Sequence, residues 1–350
     1  MGQITMRERM LAVIKGDPVD RVPFVQYDGL AAPNEEIWDL VGRDNMGILR
    51  WTMPFRREHP NCRQRSEPIE KDGLRGTHTV IETPRGTMQE RRYFEPTYNS
   101  GWTDEHFVKT ATDLDVLTSW LEDEVIVPDP EPLAKARQDL GDDGLPLVRV
   151  ERTAFQQLWI QWCSLDDLVC FMMDEEDRMA ACIAALQKRQ RDVFRTVADF
   201  DIEMVDIPDN ITAPVIGQQW FSQYCLPDYD ELADLLNVPV YVHMDGDLAP
   251  LYEAIESSKI GGIDSLSPPP DNDTSPARAL EFSADMRVAI NFPSSVHLAS
   301  AKQIYATTIG FLEEAGDSGR FQIQISENVP PFSWRTSYPA IVKAINDYHA

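Results

Sequence analysis

The sequence alternates between short apolar runs, each bounded by Pro, Gly or Asp, and amphipathic stretches of helical period. A short, continuously apolar run is typical of a strand buried on both faces, as in a parallel sheet. Eight such runs predict strands at residues 22–27, 47–51, 145–150, 203–207, 239–243, 262–266, 287–291 and 321–326. Amphipathic stretches predict helices at residues 34–41, 165–198, 229–236, 248–257, 275–283, 299–315 and 334–348. This order predicts an α/β fold, a (β/α)8 TIM barrel, which needs about 250 residues and leaves roughly 100 for insertions.

The residues that a barrel does not need lie mainly between the second and third predicted strands. Residues 77–83 and 86–93 flank Pro84-Arg85 and predict a β-hairpin, so we expect residues 60–110 to form an inserted flap on a single barrel domain spanning 1–350. Residues 113–121 predict a helix with Thr112 as its N-cap. The acidic, Pro-rich stretch 122–132 predicts a linker into another helix.

Charge and composition narrow the classes of partner. The 350 residues are 43% hydrophobic and carry a formal net charge of −26, which disfavours nucleic acid and anionic membrane surfaces as partners. The longest uncharged runs fall short of the roughly 20 apolar residues that span a bilayer. Five cysteines without a C-x-x-C pair argue against a disulfide framework and a cysteine-rich zinc module. The first residues predict a charged amphipathic helix rather than a secretory signal, so we expect a cytoplasmic protein.

Polar side chains stand where nearly every predicted strand ends. In a (β/α)8 barrel the chemistry lies at the carboxyl ends of the strands, so these side chains are the candidates for a site. They are Tyr27, Asp28, Trp51, Arg149, Glu151, Asp206, Asp209, Asn210, His243, Asp245, Ser267, Asn291, Ser326, Glu327 and Asn328.

The sharpest local pattern is His243-Met244-Asp245, because its His and Asp are two residues apart and share one face at the period of a strand. With Glu327 from the last strand, they would provide the mixed nitrogen and oxygen ligands of a catalytic zinc. The alternative is a hydrogen-bonded histidine at a strand end, with Asp245 capping the helix that begins near Leu248.

Two other pairs have equally open interpretations. Asp206 and Asn210 would orient a polar substrate group, or simply form a turn around Pro208. Arg149 and Glu151 would form an ion pair across the barrel interior, or contact the substrate.

The chain resembles the uroporphyrinogen decarboxylase superfamily, which also contains cobalamin-dependent methyltransferases. The resemblance is carried by residues 7–16 (RERMLAVIKG), 18–23 (PVDRVP), 105–110 (EHFVKT) with 113–114 (DL), 243–246 (HMDG) and 325–331 (ISENVPP). It implies a (β/α)8 barrel with an active site in its mouth. True uroporphyrinogen decarboxylases carry an Arg-rich segment after the first strand, whereas residues 26–32 (QYDGLAA) contain no Arg, which argues against a substrate with eight carboxylates.

Zinc methyltransferases of this superfamily that act on thiols have H-x-C and a second Cys near the last strand. Asp245 and Glu327-Asn328 stand at those places here, and the harder ligand set suits an oxygen-bearing methyl donor better. The resemblance therefore implies a methyltransferase that moves a methyl group from a methoxylated, aromatic compound to cob(I)alamin on a separate corrinoid protein. His243, Asp245 and Glu327 would hold zinc. Without a metal, Tyr27 or His243 would be the general acid.

The remaining candidates complete this expected site. We expect Asp206, Asn210, Glu151 and Asn291 to bind the substrate, with Tyr27 also positioning the ring. Two other functions stay open: a cofactor-free decarboxylase or lyase of the same fold, and a non-catalytic relative that binds a corrinoid or a substrate. The oligomeric state also stays open, with a homodimer as one arrangement.

Overall fold

The strands of the computed structural model, which describes residues 4–96, 100–327 and 329–350, follow the predicted pattern closely. They are β1 (Phe24–Tyr27), β2 (Gly47–Thr52), β3 (Phe55–Glu58), β4 (Arg63–Lys71), β5 (Leu74–Thr83), β6 (Gly86–Glu95), β7 (Ser100–Glu105), β8 (Val125–Pro128), β9 (Gly144–Arg149), β10 (Val205–Ile207), β11 (Val240–His243), β12 (Gly262–Leu266), β13 (Arg287–Asn291) and β14 (Phe321–Ile325). Every one of the eight predicted buried strands is present, with ends that differ by at most two residues.

The α-helices separate these strands. They are α1 (Met6–Lys15), α2 (Asn34–Val41), α3 (Ala111–Asp123), α4 (Glu131–Leu140), α5 (Ala154–Gln157), α6 (Leu165–Asp174), α7 (Glu176–Ala198), α8 (Ala213–Tyr224), α9 (Leu226–Leu235), α10 (Tyr252–Ser257), α11 (Pro276–Leu280), α12 (Ala301–Ala315) and α13 (Trp334–Tyr348). No helix in the described ranges is long and apolar enough to cross a membrane.

Eight strands close into a parallel barrel in the order β1-β14-β13-β12-β11-β10-β9-β2. The predicted (β/α)8 TIM barrel is therefore confirmed. The barrel belongs to the first of two compact units of the chain, the barrel unit, which comprises the residues up to Pro54, Pro130–Val150 and Phe200–Ala350. The second unit comprises Phe55–Asp129 and Glu151–Asp199.

An apolar cluster fills the amino-terminal end of the barrel. Met6, Met10 and Ile14 on α1 pack against inward side chains such as Val25 and Leu49. The helix begins at a capping box in which Thr5 accepts a hydrogen bond from the Glu8 amide while Glu8 accepts one from the Thr5 amide. The buried Tyr241 fits because its neighbour Gly262 has no Cβ, which would overlap the tyrosine ring. This packing leaves the carboxyl ends of the strands for polar side chains.

The second unit contains the predicted hairpin. Strands β5 and β6 pair antiparallel from Gly76 and Tyr93 to Thr83 and Gly86, and they lie in a four-stranded sheet of order β4-β5-β6-β7. The hairpin is confirmed, whereas its role as a flap and the single-domain organisation stay predictions.

Two local predictions are wrong. Thr110, not Thr112, caps α3, because its side chain accepts from the Asp113 amide and completes a capping box. The expected linker 122–132 contains β8, which pairs antiparallel with β3. The helical stretch predicted at residues 165–198 is present as two helices, α6 and α7, separated at Glu175.

Candidate active site

Polar side chains from five barrel strands converge at the carboxyl end of the barrel. They are Tyr27 on β1, Asp206 on β10, His243 on β11, Asp264 on β12 and Gln324 on β14. The parallel register sets His243 directly beside Asp264, so their side chains point the same way from neighbouring strands. This cluster occupies the place where (β/α)8 barrels carry their chemistry.

His243 lies between two carboxylates. Its Nδ1 donates a hydrogen bond of 2.9 Å to Asp264 Oδ2, and its Nε2 lies 3.6 Å from Asp245 Oδ2. Burial alone would lower the pKa of His243, but the close carboxylates of Asp245 and Asp264 outweigh it and raise the pKa to about 10. The histidine is therefore an imidazolium at neutral pH.

The two carboxylates differ in exposure. The Asp264 side chain is 1% exposed, whereas that of Asp245 is 23% exposed. Nδ1 of His243 thus faces the interior of the barrel, and Nε2 faces the side that solvent reaches.

Asp264 is the centre of the hydrogen-bond network. Its Oδ2 accepts from His243 Nδ1, from the Tyr27 hydroxyl in a short hydrogen bond, and from Ser265 Oγ at 3.1 Å. Its Oδ1 accepts from Gln324 Nε2 at 2.7 Å. Burial favours the neutral acid, but the hydrogen bonds and charge of His243 overcome it, and the pKa of Asp264 lies below its usual value. Asp264 is a buried, fully hydrogen-bonded carboxylate.

Asp206 has the opposite surroundings. Its carboxylate is buried, and neither oxygen has a hydrogen-bond partner among the described residues; Arg149 Nε lies 3.9 Å from Oδ2. Burial and the charge of Asp264 raise the pKa of Asp206 to about 8. A buried carboxyl group without a hydrogen bond is costly, and such groups mark functional sites.

Asp245 and Asn210 form one contact at the more exposed side. Asn210 Nδ2 donates to Asp245 Oδ2 at 2.7 Å, and Asn210 adopts a left-handed backbone with a φ of 52°. Asp245 does not cap the following helix: Asp273 accepts from the amides of Leu248 and Ala249 instead. That alternative for Asp245 is wrong.

Glu327 lies close to this group. Ser267 Oγ lies 3.5 Å from its carboxylate, and burial together with the charge of Asp245 raises its pKa. Asn291 uses its side-chain oxygen to accept from the amides of Ser326 and Glu327, so it holds the segment after β14. Asn328 lies outside the described residues.

The sequence suggested an ion pair between Arg149 and Glu151, and this is wrong. Glu151 belongs to the second unit, where it pairs with Arg57 and with Arg189 at 3.1 Å. Arg149 belongs to the barrel unit and stacks over Trp51, with its guanidinium carbon 3.9 Å from the ring centre. A role for Glu151 in binding the substrate stays a prediction.

A metal ion would fit this site with a different ligand set from the one expected. Among the described residues, Asp206, His243 and Asp264 form the group whose ligand atoms all lie within 4.8 Å of one another, and Asp245 and Glu327 are not part of it. One imidazole and two carboxylates match the three protein ligands of a catalytic zinc, and the unpartnered Asp206 supplies the group that an ion would satisfy. A metal and a proton compete for His243, because an imidazole that binds a metal is neutral.

Sequence reasoning missed Asp264 and Gln324. Both lie inside predicted strands rather than after them. The signal was the alternation in β14, where Gln322 and Gln324 are separated by Ile323; polar residues at period two in a buried strand share one face.

Comparison with known proteins supports the architecture. No protein-family model matches the sequence, and no curated protein is significantly similar to it. Among solved structures, a methyltransferase from Methanosarcina mazei superposes with a TM-score of 0.61 at 15% identity, over 99% of this chain and 100% of that chain. A mandelate racemase/muconate lactonizing enzyme from Bordetella bronchiseptica RB50 reaches a TM-score of only 0.24 at 10% identity, over 83% and 92% of the two chains. The first likeness shows that the chain shares its fold with a methyltransferase.

Proposed function

We propose that this protein is a methyltransferase that moves a methyl group from a methoxylated aromatic compound to cob(I)alamin on a separate corrinoid protein. The observation that carries the proposal is the position of His243, held between Asp264 and Asp245 at the carboxyl end of the barrel. The fold shared with a methyltransferase supports the same reaction class.

The chemical difficulty in such a reaction is the leaving group. Breaking the bond between an ether oxygen and its methyl carbon leaves both electrons on oxygen, and the resulting phenolate is a poor leaving group unless its charge is neutralised. Cob(I)alamin supplies the electron pair that forms the new bond to the methyl carbon. The protein must therefore supply positive charge or a proton at the oxygen.

His243 is suited to supply that proton. Its Nδ1 hydrogen is held by Asp264, while the Nε2 hydrogen faces the more exposed Asp245 at 3.6 Å, beyond hydrogen-bond distance. Transfer of the Nε2 proton to the ether oxygen would release a neutral phenol and leave a neutral imidazole. Asn210 would keep the Asp245 carboxylate in place beside that nitrogen.

The other polar groups orient the donor. Tyr27 and Gln324 donate to Asp264 and thereby fix the carboxylate that holds His243. The Tyr27 hydroxyl proton is engaged by Asp264, and burial together with the Asp264 charge raises the pKa of Tyr27 well above its usual value. His243 is thus a better candidate than Tyr27 for the general acid. Zinc held by Asp206, His243 and Asp264 would instead polarise the ether oxygen as a Lewis acid.

The first experiment is incubation of the protein with cob(I)alamin and a panel of methoxyarenes, methanol and methylamines while the cobalamin spectrum is followed. We expect methylation of the cobalamin with methoxyarenes. Methyl transfer with no corrinoid present would contradict the proposal. Release of CO2 from a carboxylated substrate without a corrinoid would favour the decarboxylase alternative, and binding without turnover would favour a non-catalytic relative.

A second experiment tests the role of His243. In His243→Gln the rate with anisole should fall about 100-fold or more, while 4-nitroanisole should be affected much less, because nitrophenolate leaves without a proton. His78→Gln is the matched control: His78 also pairs with a carboxylate, Glu67, at 2.9 Å, but in the second unit. An equal loss for both substrates would exclude His243 as the group that neutralises the leaving oxygen.

A further inference from the structure

Arg149 has donors that no described residue takes up. It ends β9, directly beside Asp206 in the register of the barrel, and its guanidinium stacks over the Trp51 ring at 3.9 Å. Its closest carboxylate oxygen, Asp206 Oδ2, is 3.9 Å from Nε, which is too far for a hydrogen bond. Nε is buried without a partner, and 21% of the side chain is exposed.

A largely buried arginine whose donors have no acceptor is unusual. A guanidinium carries five N–H donors in a planar fork, and buried or partly buried arginines normally use them on carboxylates or carbonyl groups. Elsewhere in the barrel unit, Arg9 donates from Nε and Nη2 to the two oxygens of Asp20 at 2.7 and 2.8 Å. The stacking contact fixes the plane of the Arg149 guanidinium, but no carboxylate in the described ranges accepts two hydrogen bonds from it as Asp20 does from Arg9.

We infer that Arg149 binds a carboxylate of the substrate, so that the substrates are methoxylated aromatic acids. This inference rests on the proposed function, since it assigns the substrate class of the same site. Asp206 lies on β10, between the strands that carry Arg149 and His243, so a ring that carries both substituents would bring its carboxylate to Arg149 and its ether oxygen toward His243.

The surroundings favour this ligand over other anions. Trp51 is 50% exposed, and its ring contacts Tyr27 edge-on at 5.0 Å, so an aromatic wall lies beside the guanidinium. Asp245 and Asp264, whose pKa values lie below their usual range, already place negative charge near the site. A planar, singly charged carboxylate meets less repulsion there than a doubly charged phosphate, and it matches the fork in a bidentate contact.

The test measures binding apart from turnover. Calorimetric titration compares 4-methoxybenzoate with 4-methoxybenzamide, which has the same shape without the charge, in the wild-type protein, Arg149→Gln and Arg149→Lys. We expect the wild type to prefer the acid, and Arg149→Gln to lose about 10- to 100-fold in affinity for the acid with little change for the amide. Arg149→Lys should recover part of the preference, because it keeps the charge but not the fork.

Arg43→Gln is the matched control, since Arg43 also stacks over a tryptophan, Trp38 at 4.0 Å, and pairs with a carboxylate at the surface. It should bind the acid as the wild type does. Equal affinity of the wild type for acid and amide, or an unchanged preference in Arg149→Gln, would overturn the inference. A preference for the acid without methyl transfer would support the Arg149 site and contradict the proposed function. Equal methyl transfer from acidic and neutral methoxyarenes would support the proposed function and contradict the Arg149 site.

Discussion

His243 and Asp264 face each other on neighbouring strands of the barrel, with 2.9 Å between the imidazole Nδ1 and the carboxylate Oδ2. The contact is buried and aligned by the backbone register, so it fixes the plane of the imidazole before any substrate binds. It also leaves Nε2 as the nitrogen that can act.

Asp264→Asn should therefore impair the chemical step while the fold persists. The substitution keeps the shape of the side chain but removes a charge that raises the pKa of His243. We expect kcat to fall about 10- to 100-fold, within the range of general acid catalysis, and the alkaline edge of the pH–rate profile to move to lower pH. Asp143→Asn, which alters an exposed carboxylate paired with Arg43, should leave both unchanged. An unaltered pH profile in Asp264→Asn would exclude this role.

Zinc binding distinguishes the two ligand sets. The structure groups Asp206 with His243 and Asp264, whereas the sequence suggested Asp245 and Glu327. If the wild-type protein binds zinc, elemental analysis after equilibration with the ion should show its loss in Asp206→Asn and its retention in Glu327→Gln. Equal loss in both variants would contradict the structural set. A fully active protein that holds no zinc would assign the charge at the leaving oxygen to the His243 imidazolium alone.

The sequence alone could not predict the ligand set that the structure brings together. The H-x-D pattern was interpreted at the period of a strand, but β11 ends at His243, so Asp245 already lies in the following loop. The partner of His243 is Asp264, from the next strand of the barrel. Local spacing cannot reveal it, because the contact depends on register between segments 21 residues apart.

The barrel itself was predictable for the opposite reason. Strand β11, for example, is built on an apolar run at residues 240–242 between Pro239 and Asp245-Gly246, so the local pattern alone places it. Strand β8 was missed because Val125–Pro128 is short, largely exposed and set among acidic residues. It forms through pairing with β3, about 70 residues earlier in the chain, which is a tertiary effect.

The second unit contains a buried ionic cluster whose disruption should be costly. The Glu124 side chain is 2% exposed. One of its oxygens lies 3.5 Å from both Arg57 Nε and Arg189 Nε, and the other lies 3.4 Å from His59 Nε2. Glu124→Gln removes one of the two carboxylates that balance Arg57 and Arg189 and leaves only Glu151, so we expect a loss of up to about 3–5 kcal/mol in the free energy of unfolding. Glu175→Gln breaks an exposed pair with Arg178 and should cost about 1 kcal/mol or less. Denaturant unfolding measures both, and similar costs would contradict the prediction.

His297 should make the barrel unit sensitive to mild acid. Its ring is buried and bonded through Nδ1 to Ser337 Oγ at 2.7 Å, and burial lowers its pKa to about 4. The unfolded chain gains a proton near pH 6.5 while the folded protein does not, so stability is present above that pH and declines as the pH falls toward 4. Between pH 6.5 and 4.5 the decline from this group should approach about 2–3 kcal/mol.

The His297→Gln variant isolates that contribution. Glutamine can still bond to Ser337 but does not titrate, so the free energy of unfolding should depend less on pH between 6.5 and 4.5 than in the wild type. Chemical unfolding at a series of pH values gives both curves. Parallel curves would show that His297 does not contribute to the acid sensitivity.

The net charge of −26 leads to a final prediction about the proposed corrinoid partner. We expect the partner to present basic residues and to be steered toward this acidic protein, docking over the barrel mouth. Raising the ionic strength from about 10 to 150 mM shortens the Debye length from about 30 to about 8 Å, and the association rate should fall about tenfold or more. Stopped-flow measurements of methyl transfer with limiting corrinoid protein test this, and free cob(I)alamin, which has no basic docking face, is the control. A rate with the corrinoid protein that does not change with salt would contradict electrostatic docking and leave the proposed methyl transfer untouched, because His243, the proposed proton donor, is buried, where salt screens little.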